Sequence, residues 1–160
     1  MTGIDTNVLV RYLIKDDPKQ TNKAVALFRS LSPTNKGFIS LVVIIESIWV
    51  LESVYKMDKT LIKEAILKLL KSPRLVIQST QEIESALSRK EDSDDLADVI
   101  IAEIGTRSGC GYTVTFDKKA AKLPGMRLLD ITDSEERWDN SFFDPLSDEE
   151  LELWEGNRIT

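Results

Sequence analysis

Residues 3–10 read Gly-Ile-Asp-Thr-Asn-Val-Leu-Val, which places an acid between a very short apolar strand and the start of a helix. Leu9, Leu13 and Ile14 then recur at helical spacing. Asp5 is therefore predicted to lie at the carboxyl end of a strand and beside a helix N-terminus, where open α/β sheets bind ligands. The alternative is that Asp5 only caps the helix.

Short apolar strands alternate with helical or turn segments along the rest of the chain. Further strands are predicted at 38–40, 74–78, 112–116 and 126–129. Strands that alternate with helices form mainly parallel sheets that carry helices on both faces. The sequence therefore predicts an α/β domain over residues 1–130.

Three more acids stand in unusual positions. Glu46 lies in the middle of the apolar run 41–51, which predicts a buried helix. Asp98 immediately precedes another apolar helical run, and Asp117 directly follows a predicted strand. A buried carboxylate is costly unless it is paired or bound to a metal. A neutral or salt-bridged structural Glu46 and a solvated acidic face around Asp98 are the alternatives.

The chain has no histidine and a single cysteine, Cys110. These counts exclude Ser-His-Asp hydrolysis, histidine-pair ribonuclease chemistry and zinc sites built from histidine or several cysteines. In a parallel sheet the four acids can meet at one edge, where their charges repel unless a cation compensates them. Oxygen ligands favour Mg²⁺ or Mn²⁺, and such sites typically act on phosphates.

The net charge of −6 is unevenly distributed. Residues 131–160 hold ten acids and two bases, whereas the preceding residues hold 17 acids and 19 bases. We therefore predict an acidic C-terminal extension, with a capped helix near 148–155. No apolar run reaches the roughly 18 residues of a membrane span. A soluble, cytoplasmic protein without membrane contact is expected.

Four blocks of the sequence carry a resemblance to a known family. They are IDTNVLVRYL at 4–13, SLVVIIESIWVL at 40–51, DLADVIIAEI at 95–104 and TFDKKAAKLPG at 115–125. Together they resemble the PIN-domain ribonucleases, and especially the VapC-type toxins of bacterial toxin–antitoxin pairs, over roughly residues 2–129. The resemblance implies a three-layer α/β/α fold with a central parallel sheet of about five strands.

The resemblance also implies the site residues. The acids that catalyse and hold Mg²⁺ or Mn²⁺ would be Asp5, Glu46, Asp98 and Asp117, with Asp95 as a plausible fifth. Thr6 and Thr115 would position a water or a phosphate through their hydroxyls. The candidates for contact with the RNA backbone are Arg11, Lys118, Lys119, Lys15 and Lys36, each with a solvated surface role as the alternative.

The implied activity is metal-dependent hydrolysis of RNA, which leaves a 5′-phosphate and a 3′-hydroxyl. The implied partners are an RNA substrate such as tRNA or rRNA, a small antitoxin protein and a second copy of the chain. A non-catalytic PIN-fold module that binds RNA or protein is the main alternative. A metal-dependent phosphatase is a second one, but it would need a nucleophilic aspartate with a second acid two residues on, where Asn7 stands. The acidic extension suggests a further hypothesis, that it mimics RNA and lowers activity.

Overall fold

The computed structural model describes residues 1–88 and 95–129. Its strands are β1 (Thr2–Gly3), β2 (Gly37–Ile39), β3 (Leu75–Ile77), β4 (Thr113–Thr115) and β5 (Met126–Leu128). Its helices are α1 (Thr6–Ile14), α2 (Pro18–Ser30), α3 (Leu41–Ser53), α4 (Lys59–Leu70), α5 (Thr80–Leu87) and α6 (Leu96–Arg107), and a 3₁₀ turn spans Ala120–Lys122. The predicted extension at 131–160 and its helix near 148–155 lie outside the described residues and stay predictions.

All strand pairings in these two ranges are parallel. β2 lies between β1 and β3, with Gly3 opposite Phe38, while β4 pairs with β5 and sets Thr115 opposite Leu128. Backbone hydrogen bonds thus group the five described strands as three and two rather than as one continuous sheet. Parallel strands require crossover connections, and helices supply them here. The predicted α/β fold class is confirmed.

A shared aliphatic core holds the helices against the strands. Its almost fully buried side chains are Leu9, Ile39, Ile44, Ile48, Leu51, Ile62, Ile66, Ile83 and Ile100. They come from α1, β2, α3, α4, α5 and α6. Burial of one such side chain contributes about 1.5–3 kcal/mol. This core therefore fixes the orientation of α1, α3 and α6, the helices that carry or adjoin the candidate acids.

Local sequence sets where the second helix begins. Pro18 occupies its first turn, where the missing N–H of proline costs no hydrogen bond. The carboxylate of Asp17 caps the helix by accepting a hydrogen bond from the Gln20 N–H at 2.8 Å. The prediction that Pro18 opens a helix is confirmed, and this helix packs against α1.

The prediction that α3 is buried on nearly every side is wrong. Ile44 and Ile48 lie in the core, but Val42 and Trp49 are 71% and 60% exposed, and Glu46 on the same helix is exposed. The helix contacts the core along one side only, and an apolar sequence pattern that runs all the way round does not reveal which side that is. Even α3 is unsuited to crossing a bilayer, and the same holds for every other helix in the described ranges.

Candidate active site

Asp5 occupies the N-cap position of α1 without capping it. Its backbone is extended, with φ −85° and ψ 160°, and its carbonyl accepts the first helical hydrogen bond from Leu9 N–H at 3.0 Å. Its carboxylate makes no capping hydrogen bond and is exposed to solvent. The capping alternative is therefore wrong, and the carboxylate remains available at the end of β1.

Glu46 is brought to the start of α1 by a side-chain hydrogen bond. The hydroxyl of Thr6, only 5% exposed, donates to Glu46 Oε2 at 2.5 Å. The expected burial of Glu46 is corrected here, because the residue is exposed. Thr6 immediately follows Asp5 in the chain, so the hydrogen bond ties the Glu46 carboxylate to the neighbourhood of Asp5. We call Asp5, Thr6 and Glu46 the Asp5 subsite.

Asp98 lies in the first turn of α6 beside two other acids. Partial burial raises the pKa of its carboxyl, and the charges of Asp95 and Asp117 raise it further, while Lys119 opposes them. Asp95 caps α6 by accepting a hydrogen bond from the Ala97 N–H at 2.8 Å. We call Asp95, Asp98 and Asp117 the Asp98 subsite. The charges of Asp95 and Asp117 are close enough to disfavour the charge of Asp98.

Asp117 is held rigidly at the end of β4. Its Oδ1 accepts hydrogen bonds from the backbone N–H groups of Lys119 at 2.6 Å and Ala120 at 3.2 Å. These two bonds lower the pKa of the Asp117 carboxyl. The Asp117 N–H donates to the hydroxyl of Thr115 at 3.1 Å, so Thr115 holds the turn at the strand end. With Oδ1 engaged, Oδ2 is the oxygen that remains for a ligand.

The structure brings the four predicted acids together in two groups. The Asp5 subsite adjoins β1 of the three-stranded sheet, and the Asp98 subsite adjoins β4 of the two-stranded sheet. Within residues 1–88 and 95–129, no group of three acidic side chains lies close enough together to hold a metal ion. The candidate ligands are carboxylates, which are the ligands that hard divalent ions prefer. A cation would also stabilise the charged form of Asp98, which the neighbouring acids disfavour.

Arg11, predicted to contact RNA, is largely engaged by protein groups. Its Nη1 donates to both carboxylate oxygens of Asp16 at 2.6 Å and to the Tyr55 hydroxyl at 2.9 Å, and its Nε donates to Gln20 Oε1 at 2.8 Å. Hydrogen bonds from Tyr55 and Arg11 lower the pKa of the Asp16 carboxyl. This network has no signal in the sequence, because Tyr55 lies 39 residues from Asp16 and no local pattern links them.

The predicted lysines differ in position. Lys118 and Lys119 directly follow Asp117 and are exposed beside the Asp98 subsite. Lys15 is the C-cap of α1, so the nine residues of this helix separate it from Asp5. Lys36 precedes the amino end of β2, whereas Asp5 and Asp117 follow the carboxyl ends of β1 and β4. Only Lys118 and Lys119 are thus placed next to an acid subsite.

Parallel strands that alternate with helices, with carboxylates after β1 and β4 and on α3 and α6, define the class to which this protein belongs, that of α/β proteins with an acidic candidate site. The family follows from the sequence match. The family model described as "PIN domain" matches residues 4–126, and the chain belongs to the PIN-domain family. Members of this family generally use divalent metal ions.

Comparison with solved structures gives a distant likeness. The chain is similar to the VapC20 toxin of Mycobacterium tuberculosis, described as cleaving the sarcin–ricin loop, at 16% sequence identity and a TM-score of 0.39. The likeness covers 76% of this chain and 93% of that one. Comparison with curated proteins gave no match. The family assignment accordingly rests on the sequence match over residues 4–126.

Proposed function

We propose that the protein is an endoribonuclease that depends on Mg²⁺ or Mn²⁺ and serves as the toxin of a toxin–antitoxin pair. The observation that carries the proposal is the PIN-domain match from residue 4 to residue 126, which encloses all four acids. RNA such as tRNA or rRNA is the proposed substrate. A small antitoxin protein and a second copy of the chain are the proposed partners, and the cytoplasm is the proposed location.

In this proposal, Asp5 and Asp98 hold the ion directly, and Glu46 and Asp117 complete the site. A divalent ion would supply charge stabilisation of the phosphodiester transition state and a lowered pKa for an attacking water. The residues of the chain supply orientation. Thr6 fixes the Glu46 carboxylate, and the two backbone N–H groups at Oδ1 leave Asp117 Oδ2 for the site. The repulsion at Asp98 favours cation binding there.

The first test is cleavage of total cellular RNA by the purified protein, in Mg²⁺ or Mn²⁺ and in EDTA. We expect cutting that EDTA abolishes and that the Asp5→Asn and Asp98→Asn variants lack, although both variants keep the fold. Far-ultraviolet circular dichroism checks the fold. Full metal-dependent cutting by either variant would overturn the assignment of that acid.

The non-catalytic alternative makes a different prediction. A module that only binds RNA or protein would not cut RNA, whichever divalent ion is present. If it binds RNA, Asp5→Asn would leave the binding affinity unchanged. Mapping the cut ends then tests the chemistry, since the proposal requires 5′-phosphate and 3′-hydroxyl products. Ends of another type would exclude the proposed reaction even if the protein cuts RNA.

A further inference from the structure

A groove between α1 and α2 begins two residues from Asp5 and is not used by the mechanism above. It has a volume of about 300 Å³. Asn7 lies at its end nearest the Asp5 subsite, only two residues from Asp5. Because α1 starts at the end of β1, the groove runs away from the candidate active site along the surface. Asn7 therefore places one end of the groove close to the exposed Asp5 in the chain.

The chemistry of the groove is divided between its floor and its rim. The floor is apolar and consists of Val8, Ala24 and Leu27. The rim is polar and includes Asn7 and Lys23. An apolar floor with a cationic rim suits a nucleotide, since a base can lie on the floor while its phosphate meets the cation. An acidic rim would instead have repelled RNA, and no acid lines this groove.

Arg11 and Gln20 close the far end of the groove. Arg11 Nε donates to Gln20 Oε1, which joins α1 to α2, and Asp16 holds the Arg11 guanidinium from the other side. These bonds make the end wall rigid and neutralise much of the Arg11 charge. Lys23 is exposed and makes no ion pair in the described residues, so it is the cation left to meet a phosphate.

We propose that the α1–α2 groove binds one nucleotide of the single-stranded RNA substrate next to the scissile phosphate, with the base on the Val8–Leu27 floor and the phosphate at Lys23. The proposal rests on the proposed ribonuclease function. It adds a subsite that selects unpaired RNA, because a base reaches the floor only when it is unstacked from a helix. Lys23 and Leu27 act in binding and not in bond cleavage.

The test measures binding of a short fluorescein-labelled RNA of mixed sequence by fluorescence anisotropy, on the Asp5→Asn protein in Mg²⁺, over a range of potassium chloride concentrations. For Lys23→Gln we expect weaker binding and a salt dependence of log Kd that is shallower by about 0.7, the value of one phosphate contact on a single strand. Lys23→Arg should restore the slope. The matched control is Arg29→Gln, an equal charge change on α2 outside the groove, which should leave the slope unchanged.

A second variant tests the apolar floor. Leu27→Ala should weaken binding of the RNA several-fold without changing the salt slope, and should not affect an abasic ribose-phosphate oligomer of the same length. The proposal is overturned if Lys23→Gln and Arg29→Gln behave alike, or if Leu27→Ala weakens both oligomers equally. A groove that takes a peptide instead of RNA would give the first of these results.

The outcomes separate this proposal from the proposed function. If the wild-type protein cuts RNA but Lys23→Gln leaves the salt slope unchanged, the groove proposal fails and the function stands. If the wild-type protein does not cut RNA, yet Lys23 and Leu27 affect binding as expected, the catalytic function fails and the groove proposal stands. Absence of any RNA binding would overturn both.

Discussion

At the scale of single residues, Asp98 and Asp117 are neighbours with opposite tendencies to ionise. Burial and two nearby acids raise the pKa of Asp98, whereas two backbone N–H groups lower the pKa of Asp117. The charged form of Asp98 is thus disfavoured by the fold itself. A bound cation would remove that penalty. Asp98 therefore lowers the stability of the metal-free protein, but it favours binding of the cation.

This predicts the effect of Asp98→Asn on stability. A carboxyl whose pKa is raised on folding binds its proton more tightly in the folded state, so the metal-free protein loses stability as pH rises through that raised pKa. In EDTA at pH 7, Asp98→Asn should therefore melt at a higher temperature than the wild type. The difference in melting temperature between the variant and the wild type should become smaller as the pH is lowered and Asp98 becomes protonated. Differential scanning fluorimetry over a range of pH measures this difference.

Two results would contradict this account of Asp98. One is a lower melting temperature for Asp98→Asn in EDTA, and the other is a difference that becomes larger at acid pH. The matched control is Asp58→Asn, because the Thr60 backbone N–H lowers the pKa of Asp58. That substitution should lower the melting temperature at pH 7, the opposite sign, since it removes a favoured charge.

Thr6 is predicted to act by positioning Glu46. Thr6→Val keeps the shape of the side chain but removes the donor at 2.5 Å from Glu46 Oε2, whereas Thr6→Ser keeps the donor. Loss of such a supporting hydrogen bond typically costs about 10- to 100-fold in metal affinity or activity. We expect this loss in Thr6→Val, measured as Mn²⁺ affinity by calorimetry, and near wild-type affinity in Thr6→Ser. Equal affinities in the two variants would show that the hydroxyl has no such role.

At the scale of elements, the first residue of β2 is a glycine that lies against three apolar side chains. A Cβ built at Gly37 would lie 2.7 Å from Ile4 Cδ1, 2.9 Å from Leu31 Cδ1 and 3.0 Å from Leu75 Cδ2. A Cβ at Gly3, on the neighbouring strand, would meet no atom within 4 Å. A side chain at Gly37 would therefore force the ends of three packed side chains to shift, whereas one at Gly3 would not.

The two glycines provide a matched pair of substitutions. Gly37→Ala should lower the free energy of unfolding by about 1–3 kcal/mol, the usual cost of an overpacked core. Gly3→Ala should leave it within about 0.5 kcal/mol of the wild type, as expected for an unconstrained surface position. Urea unfolding followed by circular dichroism measures both. Equal effects would mean that the three side chains around Gly37 move aside without cost.

At the scale of the whole molecule, the two acid subsites adjoin different sheets. The Asp5 subsite follows β1 and the Asp98 subsite follows β4, and the described strands are hydrogen-bonded as separate groups of three and two. An ion held by both subsites would link these groups. It would therefore stabilise the fold as well as complete the site.

We expect Mg²⁺ or Mn²⁺ to raise the stability of the wild-type protein. At about 100 times its dissociation constant, a ligand specific for the folded state adds about 2.7 kcal/mol to the free energy of unfolding. The increase should be lost in both Asp5→Asn and Asp98→Asn if one ion bridges the subsites. Loss in Asp98→Asn alone would place the ion within the Asp98 subsite. Thermal melts with and without EDTA distinguish these results.

The acidic extension at 131–160 gives one more prediction. If its charge mimics RNA and lowers activity, deletion of these residues should raise RNA cleavage or RNA affinity, most strongly at low salt, where charge interactions are least screened. Cleavage and binding assays of the shortened and full-length chains measure the change. Unchanged or lost activity would contradict the hypothesis and favour a structural role for the segment.

The sequence by itself determined the alternation of strands and helices, the helix start at Pro18 and the four candidate acids. These features depend on local chemistry, namely apolar periodicity, a proline that fits a first helical turn and carboxylates in unusual contexts. The absence of histidine is also evident from the sequence alone, and it leaves oxygen atoms as the candidate metal ligands.

Only the tertiary structure decided which groups meet. It showed that Asp5 leaves its helix uncapped, that Thr6 binds Glu46, and that Asp16 and Tyr55 engage Arg11. It also showed that Glu46 is exposed to solvent, although the apolar run around this residue predicts burial. These contacts join residues up to 44 positions apart, and they depend on how the helices pack on the shared core rather than on any local pattern.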